Sequence, residues 1–391
     1  MRVLFVHSGA DLYGASRSLL RLSSRLARDG HAVLAILPYE GPLVEELKRS
    51  GVQVRVHTNL PVVTRGQYTR WRRLFSLIVR VPGSIFSLRS EVKRFRPQVM
   101  HSNTALILTS GIVSRLCRIP HVWHVREFFN EFKLLWKLYQ WFMYLFADRI
   151  ICVSVSVADQ FAARIRRRKV AVIHNGFPRD EFEPVGADRI QDLKKEFGLV
   201  DCELVGVIGR IRCGRKGQDV FVRAVSLLKD KFLGVRYLLI GSPFPGNEEH
   251  LENLRRLMTE LKVADRIIYT GDIKDIKAAY AALDVSVVPS ALPEPFAGVT
   301  IESMAFGKPV VGTRTGGTIE QIEDGVTGYL VEPNDPHDLA EAIEKLLISP
   351  ELRRTMGYSG RARFLSSFEF EPFYLNMISL YTETITGQRQ S

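Results

Sequence analysis

Two glutamates on either side of a short turn are the residues of this chain whose type and spacing point most clearly to a chemical function. Glu294 and Glu302 lie eight positions apart in the segment Pro-Glu-Pro-Phe-Ala-Gly-Val-Thr-Ile-Glu-Ser-Met-Ala-Phe-Gly-Lys-Pro. Between them, Pro295 and Gly298 form a turn that opens into an apolar helical pattern over 300–306. We therefore expect Glu294 at the mouth of a helix and Glu302 about one turn inside it.

The start of such a helix favours an anion. Its first backbone N–H groups have no partner within the helix and lie at the positive end of the helix dipole. A diphosphate with a sugar on each side fits this pattern, with phosphate on the amides and hydroxyl groups on the carboxylates. The alternative is a capped surface helix, because glutamates one or two turns apart are common on solvated helices.

A basic, glycine-rich segment follows an apolar strand pattern in the same half of the chain. It reads Gly-Arg-Ile-Arg-Cys-Gly-Arg-Lys-Gly over 209–217 and contains Arg210 and Lys216. Its glycines allow close approach of a ligand to the backbone, and its cations can hold phosphate. The alternative is a basic surface turn, and Arg212 and Arg215 fit that simpler role.

Composition indicates a folded protein of two or three domains with a lopsided charge. The chain has 391 residues, 46% of them hydrophobic, and a formal net charge of +12. Residues 1–180 hold 29 Lys and Arg against 11 Asp and Glu, so this half is strongly basic. Such a half suits nucleic acid, an anionic membrane surface or an anionic substrate.

The compartment expected from these features is the cytosol. The four cysteines form no close pair, which is typical of reduced thiols, and show no zinc or redox spacing. No apolar run reaches the roughly 18 residues that span a bilayer. The first residues, Met-Arg-Val-Leu-Phe-Val, have the pattern of a buried strand and not of a signal peptide.

Strand and helix patterns alternate in both halves, which predicts two doubly wound parallel sheets of the α/β class. The strands are predicted over 3–7, 31–38, 52–57, 97–102, 120–125, 149–154, 204–209, 235–240, 267–270, 285–289 and 309–313. The Gly- and Pro-rich stretch 176–184 predicts a hinge between the halves, and 370–385 an amphipathic terminal helix.

The paired glutamates, with Ala-Phe-Gly-Lys-Pro-Val-Val after Glu302, resemble the donor-site signature of glycosyltransferase family 4. The resemblance implies the GT-B fold, with two Rossmann-like domains facing a central cleft. It implies an acceptor-binding domain over 1–178 and a nucleotide-sugar-binding domain over 179–368. The segment 369–391 would be a helix that returns to the first domain.

The resemblance also implies roles for single residues in the second domain. Arg210 and Lys216 would neutralise the donor diphosphate, Glu302 would hold the ribose, and Glu294 would face the transferred sugar. Gly298 and Val299 complete the implied donor-binding set. Ala297 departs from the family, which has glycine directly after the phenylalanine.

In the first domain, the resemblance places Gly14 and Ala15 in a glycine-rich loop on the acceptor side, where Tyr13 replaces one of two usual glycines. His124 or Arg126, at the end of a predicted strand, would contact the transferred sugar. The alternative is a histidine with a purely structural role, and this alternative is favoured for His121.

Two further motifs are turns. Gly316-Gly317 is either a tight turn before a helix or a contact to the donor. Residues 174–177 are predicted to form a structural turn, in which Asn175-Gly176 suits positive φ.

No Asp-x-Asp pair, the usual diphosphate-bound metal site of sugar transfer, occurs in the sequence. We therefore expect a metal-independent site that uses Arg210, Lys216 and a helix dipole. No metal and no tightly bound cofactor are expected, only a nucleotide diphosphate sugar as donor substrate.

Two stretches of the first half combine basic, apolar and aromatic residues. Residues 65–96 carry Trp and many Arg and Lys, which favours attachment to an anionic membrane surface. Residues 128–146 are rich in aromatics and are predicted to form a buried helical wedge. The expected location is therefore cytoplasmic, peripheral to the inner face of the cell membrane.

The sequence thus predicts a retaining glycosyltransferase. Its acceptor would be a glycan or a lipid-linked sugar in cell-surface polysaccharide or glycolipid biosynthesis. A nucleotide-sugar 2-epimerase of the same fold is the alternative enzyme, and needs no acceptor. A basic nucleic-acid-binding protein ranks last, because no nucleic-acid motif is visible.

Overall fold

The computed structural model describes residues 1–63, 71–129 and 133–387. The chain divides into two compact units. The first comprises Met1–Gly176 with Glu371–Ser391, and the second Phe177–Phe370.

A seven-stranded, fully parallel sheet forms the centre of the first unit. Its strands are β1 (Arg2–Val6), β2 (Ala32–Leu37), β3 (Gln53–Val56), β4 (Val99–Ser102), β5 (His121–Val125), β6 (Arg149–Cys152) and β7 (Val170–Val172), in the order β3-β2-β1-β4-β5-β6-β7. The interior strand β1 pairs with both of its neighbours, placing Val3 beside Val33 and Val99. Such strands are covered on both faces, which explains their continuous apolar sequences.

Helices connect these strands. They are α1 (Gly14–Arg28), α2 (Pro42–Arg49), α3 (Trp71–Phe95), α4 (Thr109–Cys117), α5 (Lys133–Phe146), α6 (Val155–Ala158) and α7 (Ala163–Lys169). In the described residues, no helix has both the length and the apolar character to cross a membrane.

A six-stranded parallel sheet forms the centre of the second unit. Its strands are β8 (Glu203–Ile208), β9 (Val235–Ile240), β10 (Ile267–Gly271), β11 (Val285–Val288), β12 (Val310–Thr313) and β13 (Gly328–Val331), in the order β10-β9-β8-β11-β12-β13. The helices are α8 (Ala187–Glu196), α9 (Gln218–Leu228), α10 (Glu249–Glu260), α11 (Ile276–Ala282), α12 (Gly298–Ala305), α13 (Thr318–Gln321), α14 (Pro336–Ile348) and α15 (Pro350–Arg363).

The order of each sheet reverses direction once. The reversal lies between β1 and β4 in the first unit and between β8 and β11 in the second. At such a point, the loops leaving the carboxyl ends of the two strands separate and form a crevice where α/β sheets bind ligands. The second-unit crevice is therefore bordered by the loops after β8 and β11.

The terminal helix α16 (Phe370–Thr386) packs on the first unit. The Tyr381 hydroxyl lies 2.6 Å from Nδ1 of His101, and the Tyr374 hydroxyl donates to Asp29 over 2.6 Å. Glu371 accepts two hydrogen bonds from Arg25. Polar contacts thus fix this helix along most of its length.

The membrane attachment predicted for the basic stretch 65–96 stays a prediction, whereas the packing predicted for 128–146 can be compared with the structure. Residues 65–70 of the basic stretch 65–96 lie outside the described residues, and the remainder falls mainly in α3. The buried wedge predicted for 128–146 is wrong for one face of α5. This helix buries Trp136 and Met143 but leaves Leu138 and Leu145 each 65% exposed. A helix at the edge of a unit buries only one face, however apolar its sequence.

Candidate functional site

The loop after β8 carries the two predicted phosphate-binding cations, Arg210 and Lys216. Gly209 and Gly217 flank it with φ angles of 145° and 71°, which residues with a side chain rarely adopt. A Cβ atom at Gly217 would lie 1.7 Å from the carbonyl oxygen of Pro289, in the loop after β11. Gly217 is therefore required for the close contact between the two loops.

Hydrogen bonds hold the same two loops together. The carbonyl oxygen of Arg215 accepts from the backbone N–H groups of Ala291, over 2.9 Å, and Leu292, over 3.2 Å. This contact brings Lys216 to Glu294, with 2.5 Å between Nζ and Oε1. Two residues that the sequence assigned to one ligand thus lie side by side.

Glu294 is a buried carboxylate, with 8% of the residue exposed. Burial alone would raise its pKa, but the Lys216 ammonium and a 3.0 Å hydrogen bond from the Ser290 hydroxyl outweigh that effect. The pKa of Glu294 therefore lies below its ordinary value, and the group is ionised at neutral pH. The Lys216 side chain is 34% exposed and stays accessible to solvent.

The Gly316-Gly317 turn supports the backbone of Glu294. The N–H of Gly317 donates to the Glu294 carbonyl oxygen over 2.8 Å. A Cβ atom at either glycine would lie 2.3 Å from a backbone oxygen, that of Glu294 or of Pro295. The tight turn predicted before a helix is confirmed, since α13 follows directly, and its glycines allow this backbone packing.

Helix α12 begins at Gly298 and Val299, two residues earlier than the sequence pattern predicts. Its N-cap residue, Ala297, makes no side-chain capping bond. The first N–H groups of a helix have no acceptor within it, so the start of α12 can receive an anion. The φ angle of Ala297 is −77°, which suits any residue. The departure from glycine there thus requires no change of backbone.

Glu302 lies on α12, as predicted, and has a partner that sequence reasoning missed. The Tyr280 hydroxyl, on α11, donates to Glu302 Oε2 over 2.5 Å. The Tyr280 ring stacks on Phe306, with 5.6 Å between ring centroids and 11° between planes. Tyr280 therefore orients the Glu302 carboxylate. A single tyrosine in a helical pattern carries no sequence signal for this role.

Arg210 lies at the other side of the β8 loop. Its guanidinium is 3.5 Å from an Asp272 carboxylate oxygen and 5.1 Å from the centroid of the Phe244 ring. The side chain is 28% exposed. The loops after β8 and β11, together with α12, thus present two cations, two carboxylates and an uncapped helix start.

In the first unit, the predicted site residue Arg126 is enclosed by polar side chains. It donates to Asn175 over 2.6 Å and to Ser18 over 2.9 Å, and Nη2 lies 3.3 Å from Nδ1 of His124. Burial lowers the pKa of Arg126 to about 10, so it stays charged at neutral pH. Asn175 thus has a side-chain role. The positive φ predicted for Asn175-Gly176 is wrong, because neither residue has one.

His124 is completely buried. Burial, together with the neighbouring Arg126 charge, holds the pKa of His124 well below its usual range, so the ring is neutral and its Nδ1 can accept from Arg126. Its contact with a transferred sugar stays a prediction. His121 bonds to the Ser102 hydroxyl and the Phe146 carbonyl oxygen, as a structural histidine does.

Gly14 and Ala15 are the first two residues of α1. Asn103, which follows β4, donates to the Ala15 carbonyl oxygen over 3.0 Å. The same side chain accepts from Arg126 Nη2 over 3.4 Å. Asn103, another residue without a sequence signal, therefore links the first turn of α1 to Arg126.

Comparison with known proteins agrees with this architecture. A model described as Glycosyl transferases group 1 matches residues 190–363, and one described as Glycosyltransferase Family 4 matches residues 13–181. The structure resembles that of Anabaena HepE in complex with UDP-glucose, with a TM-score of 0.83 at 24% identity, covering 98% of this chain and 100% of that one. This likeness defines the GT-B fold.

Between them the two models match most of the chain, and the resemblance to the GT-B glycosyltransferases of family 4 is confirmed. Among curated relatives, it is 34% identical over 195 residues to the D-inositol 3-phosphate glycosyltransferase of Corynebacterium jeikeium, covering 48% of this chain and 46% of the relative. It is 30% identical over 235 residues to the lipopolysaccharide core biosynthesis glycosyltransferase LpsE of Rhizobium meliloti, covering 59% and 64%. The chain thus spans about half the length of the first relatives that it matches.

Proposed function

We propose that this protein is a retaining glycosyltransferase. It moves a sugar from a nucleotide diphosphate sugar to a glycan or lipid-linked acceptor in cell-surface polysaccharide or glycolipid biosynthesis. The observation that carries the proposal is the Lys216–Glu294 ion pair at the edge of the sheet that also presents the uncapped start of α12. A cation paired with a buried carboxylate can exchange that partner for a phosphate when the donor binds.

In this proposal, the donor diphosphate lies on the Gly298 and Val299 amides and is neutralised by Arg210 and Lys216. Glu302, oriented by Tyr280, accepts hydrogen bonds from ribose hydroxyls. Anabaena HepE is described in complex with UDP and with UDP-glucose, so UDP-glucose is the first donor to test.

The proposed reaction is a front-face substitution. The bond between the anomeric carbon and the diphosphate oxygen breaks, and the acceptor oxygen bonds to the same face of that carbon. The acceptor proton passes to the leaving diphosphate. Glu294 faces the transferred sugar, while Arg210, Lys216 and the α12 dipole stabilise the departing charge without a metal ion.

For the first unit, the proposal assigns contact with the transferred sugar to His124 or Arg126, and the acceptor side to Gly14 and Ala15 at the start of α1. Peripheral attachment to the cytoplasmic face of an anionic membrane, through residues 65–96, would bring the enzyme to lipid-linked acceptors.

Substitution in the second unit tests the proposal. Glu302→Ala and Lys216→Ala should each abolish sugar transfer while far-UV circular dichroism stays unchanged. Lys231→Ala is the matched control, because Lys231 forms an exposed ion pair with Glu344 in the same unit. Normal transfer by both site variants would refute the donor-site assignment. Incubation with donor alone separates the epimerase alternative, which would release a rearranged sugar nucleotide.

A further inference from the structure

A polar pocket of about 540 Å³ lies in the first unit, between the edge strand β7 and the terminal helix α16. Among the described residues, its lining has four cations, Arg149, Arg167, Arg168 and Lys169, and one carboxylate, Glu383. Strand β7 is the last of its sheet, so no further strand covers this side. The pocket has the size of a site for a small organic ligand.

The pocket is separate from the residues that the proposed function uses in the first unit. Arg149 is the first residue of β6 and Lys169 directly precedes β7, whereas Arg126 follows the end of β5. In a parallel sheet, all strands start at one edge and end at the other. A strand of four residues, such as β6, separates the two edges by about 13 Å. The cations of the pocket therefore lie at the opposite edge from Arg126.

Three of the four cations are available to a ligand. Neither Arg149 nor Arg167 forms a hydrogen bond or an ion pair with the described residues. Arg168 donates one hydrogen bond, to the Tyr144 hydroxyl over 3.3 Å, and keeps its other N–H groups. Lys169 has a structural role, because its ammonium donates to two backbone carbonyl oxygens at the end of α5.

The positive charge around the pocket has too few carboxylates to balance it. The hydrogen bond from Arg168, with the charges of Arg164 and Lys169, lowers the pKa of the Tyr144 hydroxyl. Burial, together with neighbouring arginine charges, lowers the pKa of Lys169. Like charges at short range repel one another, and an anion between them relieves the repulsion. Guanidinium groups match the geometry of phosphate in particular.

The edge strand adds a backbone donor. The N–H of Ile173 donates to the carbonyl oxygen of Cys152, in β6, over 3.0 Å. Because the backbone groups of successive strand residues alternate in direction, the N–H of Val172 is directed to the open side of β7. Val172 lines the pocket and is 37% exposed, and its N–H has no partner in the described part of the chain. A phosphate oxygen can accept this hydrogen bond.

The side of the pocket formed by α16 favours hydroxyl groups. Glu383 accepts from the Ser379 hydroxyl over 3.0 Å, and a carboxylate has room for further donors. Asn376 lines the same side with an amide that both donates and accepts. A carboxylate repels phosphate but accepts hydrogen bonds from hydroxyl groups. The pocket thus suits a ligand with a phosphate at one end and hydroxyl groups at the other.

We propose that this pocket binds a hydroxyl-bearing phosphate ester, such as a sugar phosphate, at a site separate from that of sugar transfer. The phosphate lies on Arg149, Arg167 and the Val172 N–H, and the hydroxyl groups lie on Glu383 and Asn376. Because these residues belong to β6, α7, β7 and α16, the bound ligand links the terminal helix to the edge of the sheet. The inference goes beyond the proposed function and does not depend on it.

Calorimetric titration of the full chain with ribose 5-phosphate tests the site. Methyl phosphate, which lacks the hydroxyl groups, and ribose, which lacks the phosphate, are the controls. We expect ribose 5-phosphate to bind more tightly than either control and to raise the Tm by mass action. The Lys216→Ala variant, whose proposed donor site is impaired, should bind it equally well. Equal binding of methyl phosphate, or loss of binding in Lys216→Ala, would overturn the inference.

Two neighbouring arginines of α7 give a matched pair of variants. Arg167→Gln removes a cation that lines the pocket, whereas Arg166→Gln removes the same charge from a residue that pairs with Asp159 outside it. Both side chains are exposed, so both variants should fold. Arg167→Gln should weaken binding of ribose 5-phosphate by about tenfold, the factor for one charge-assisted hydrogen bond. Arg166→Gln should leave it unchanged. An equal effect of both would overturn the inference, because net charge alone would then explain the binding.

Glu383→Ala tests how the hydroxyl groups are recognised. This change should lower the preference for ribose 5-phosphate over methyl phosphate by about tenfold, because the carboxylate that accepts from the hydroxyl groups is lost. An unchanged preference would contradict the proposed orientation of the ligand and overturn the inference. Duplex DNA and vesicles of phosphatidylglycerol should not displace ribose 5-phosphate. Displacement that requires Arg167 would show a surface for a polyanion instead, and would also overturn it.

Discussion

Removal of the Lys216 ammonium should leave the buried Glu294 carboxylate with too few partners. Breaking a buried ion pair in this way costs about 3–5 kcal/mol. Because Lys216 is 34% exposed, solvent screens part of the interaction, and we expect a loss of about 2 kcal/mol in Lys216→Ala. For a unit of this size, that loss corresponds to a fall in Tm of about 4–8 °C.

The loss of stability in Lys216→Ala should be larger at neutral pH than at acidic pH. In the wild type, the pKa of Glu294 is held below its ordinary value, so the carboxylate stabilises the fold above the unfolded-state pKa. That contribution disappears as the pH falls through the folded-state value. Without Lys216, burial becomes dominant and raises the pKa of Glu294. The charged form is then penalised at neutral pH, and acid relieves the penalty.

Thermal melts at about pH 7.5 and about pH 5 measure this change; the lower value lies about half a unit above the ordinary pKa of a glutamate carboxyl. The difference in Tm between wild type and Lys216→Ala should shrink by half or more at the lower pH. In the double variant Lys216→Ala/Glu294→Gln, the neutral amide should remove the pH dependence. An equal loss of Tm in Lys216→Ala at both pH values would refute this electrostatic account. So would a double variant whose Tm depends on pH in the same way as that of the single variant.

Three further predictions follow from single contacts. Gly217→Ala should destabilise the fold by several kcal/mol more than Gly214→Ala in thermal melts, because the φ angles are alike, 71° and 70°, but only Gly217 faces a backbone oxygen. Tyr280→Phe should weaken UDP binding by about fivefold in calorimetry without unfolding, since it removes one hydrogen bond to Glu302 and keeps the ring. Tyr381→Phe should destabilise the first unit by about 1–3 kcal/mol in urea titration, because its buried histidine partner loses its hydrogen bond.

Most of the fold could be predicted from the sequence, because buried parallel strands have long apolar runs. The strands that the patterns missed are β7 and β13. Val170–Val172 has three residues and follows a run of arginines, and Gly328–Val331 has four and begins with glycine. The secondary structure of such short runs is ambiguous from their sequence alone. They become strands because they pair with neighbouring strands in the sheet.

The candidate site was partly predictable. The spacing of Glu294 and Glu302 located α12, with its start predicted two residues too late. The contact between Lys216 and Glu294 depends on two loops that meet in space, which no local pattern reports. Ser290 and Tyr280 were missed for the same reason, since their importance lies in what they contact.

Aromatic content misled the interpretation of α5. A dense set of large apolar residues favours burial, but a helix has more surface than one neighbouring layer can cover. Leu138 and Leu145 show the outcome, with 65% of each exposed. The number of apolar residues in a segment does not predict how many of its faces are covered.

The discontinuous first unit has a consequence for protein synthesis. Its sheet is translated first, but Tyr374 and Tyr381, which bond to Asp29 and His101, come after the whole of the second unit. At about 5–20 residues per second, the roughly 200 intervening residues take about 10–40 s to emerge from the ribosome. During that interval the nascent sheet lacks α16, whose Met377 and Leu380 are buried in the finished fold, so the apolar surface that they cover is a natural place for a chaperone to bind.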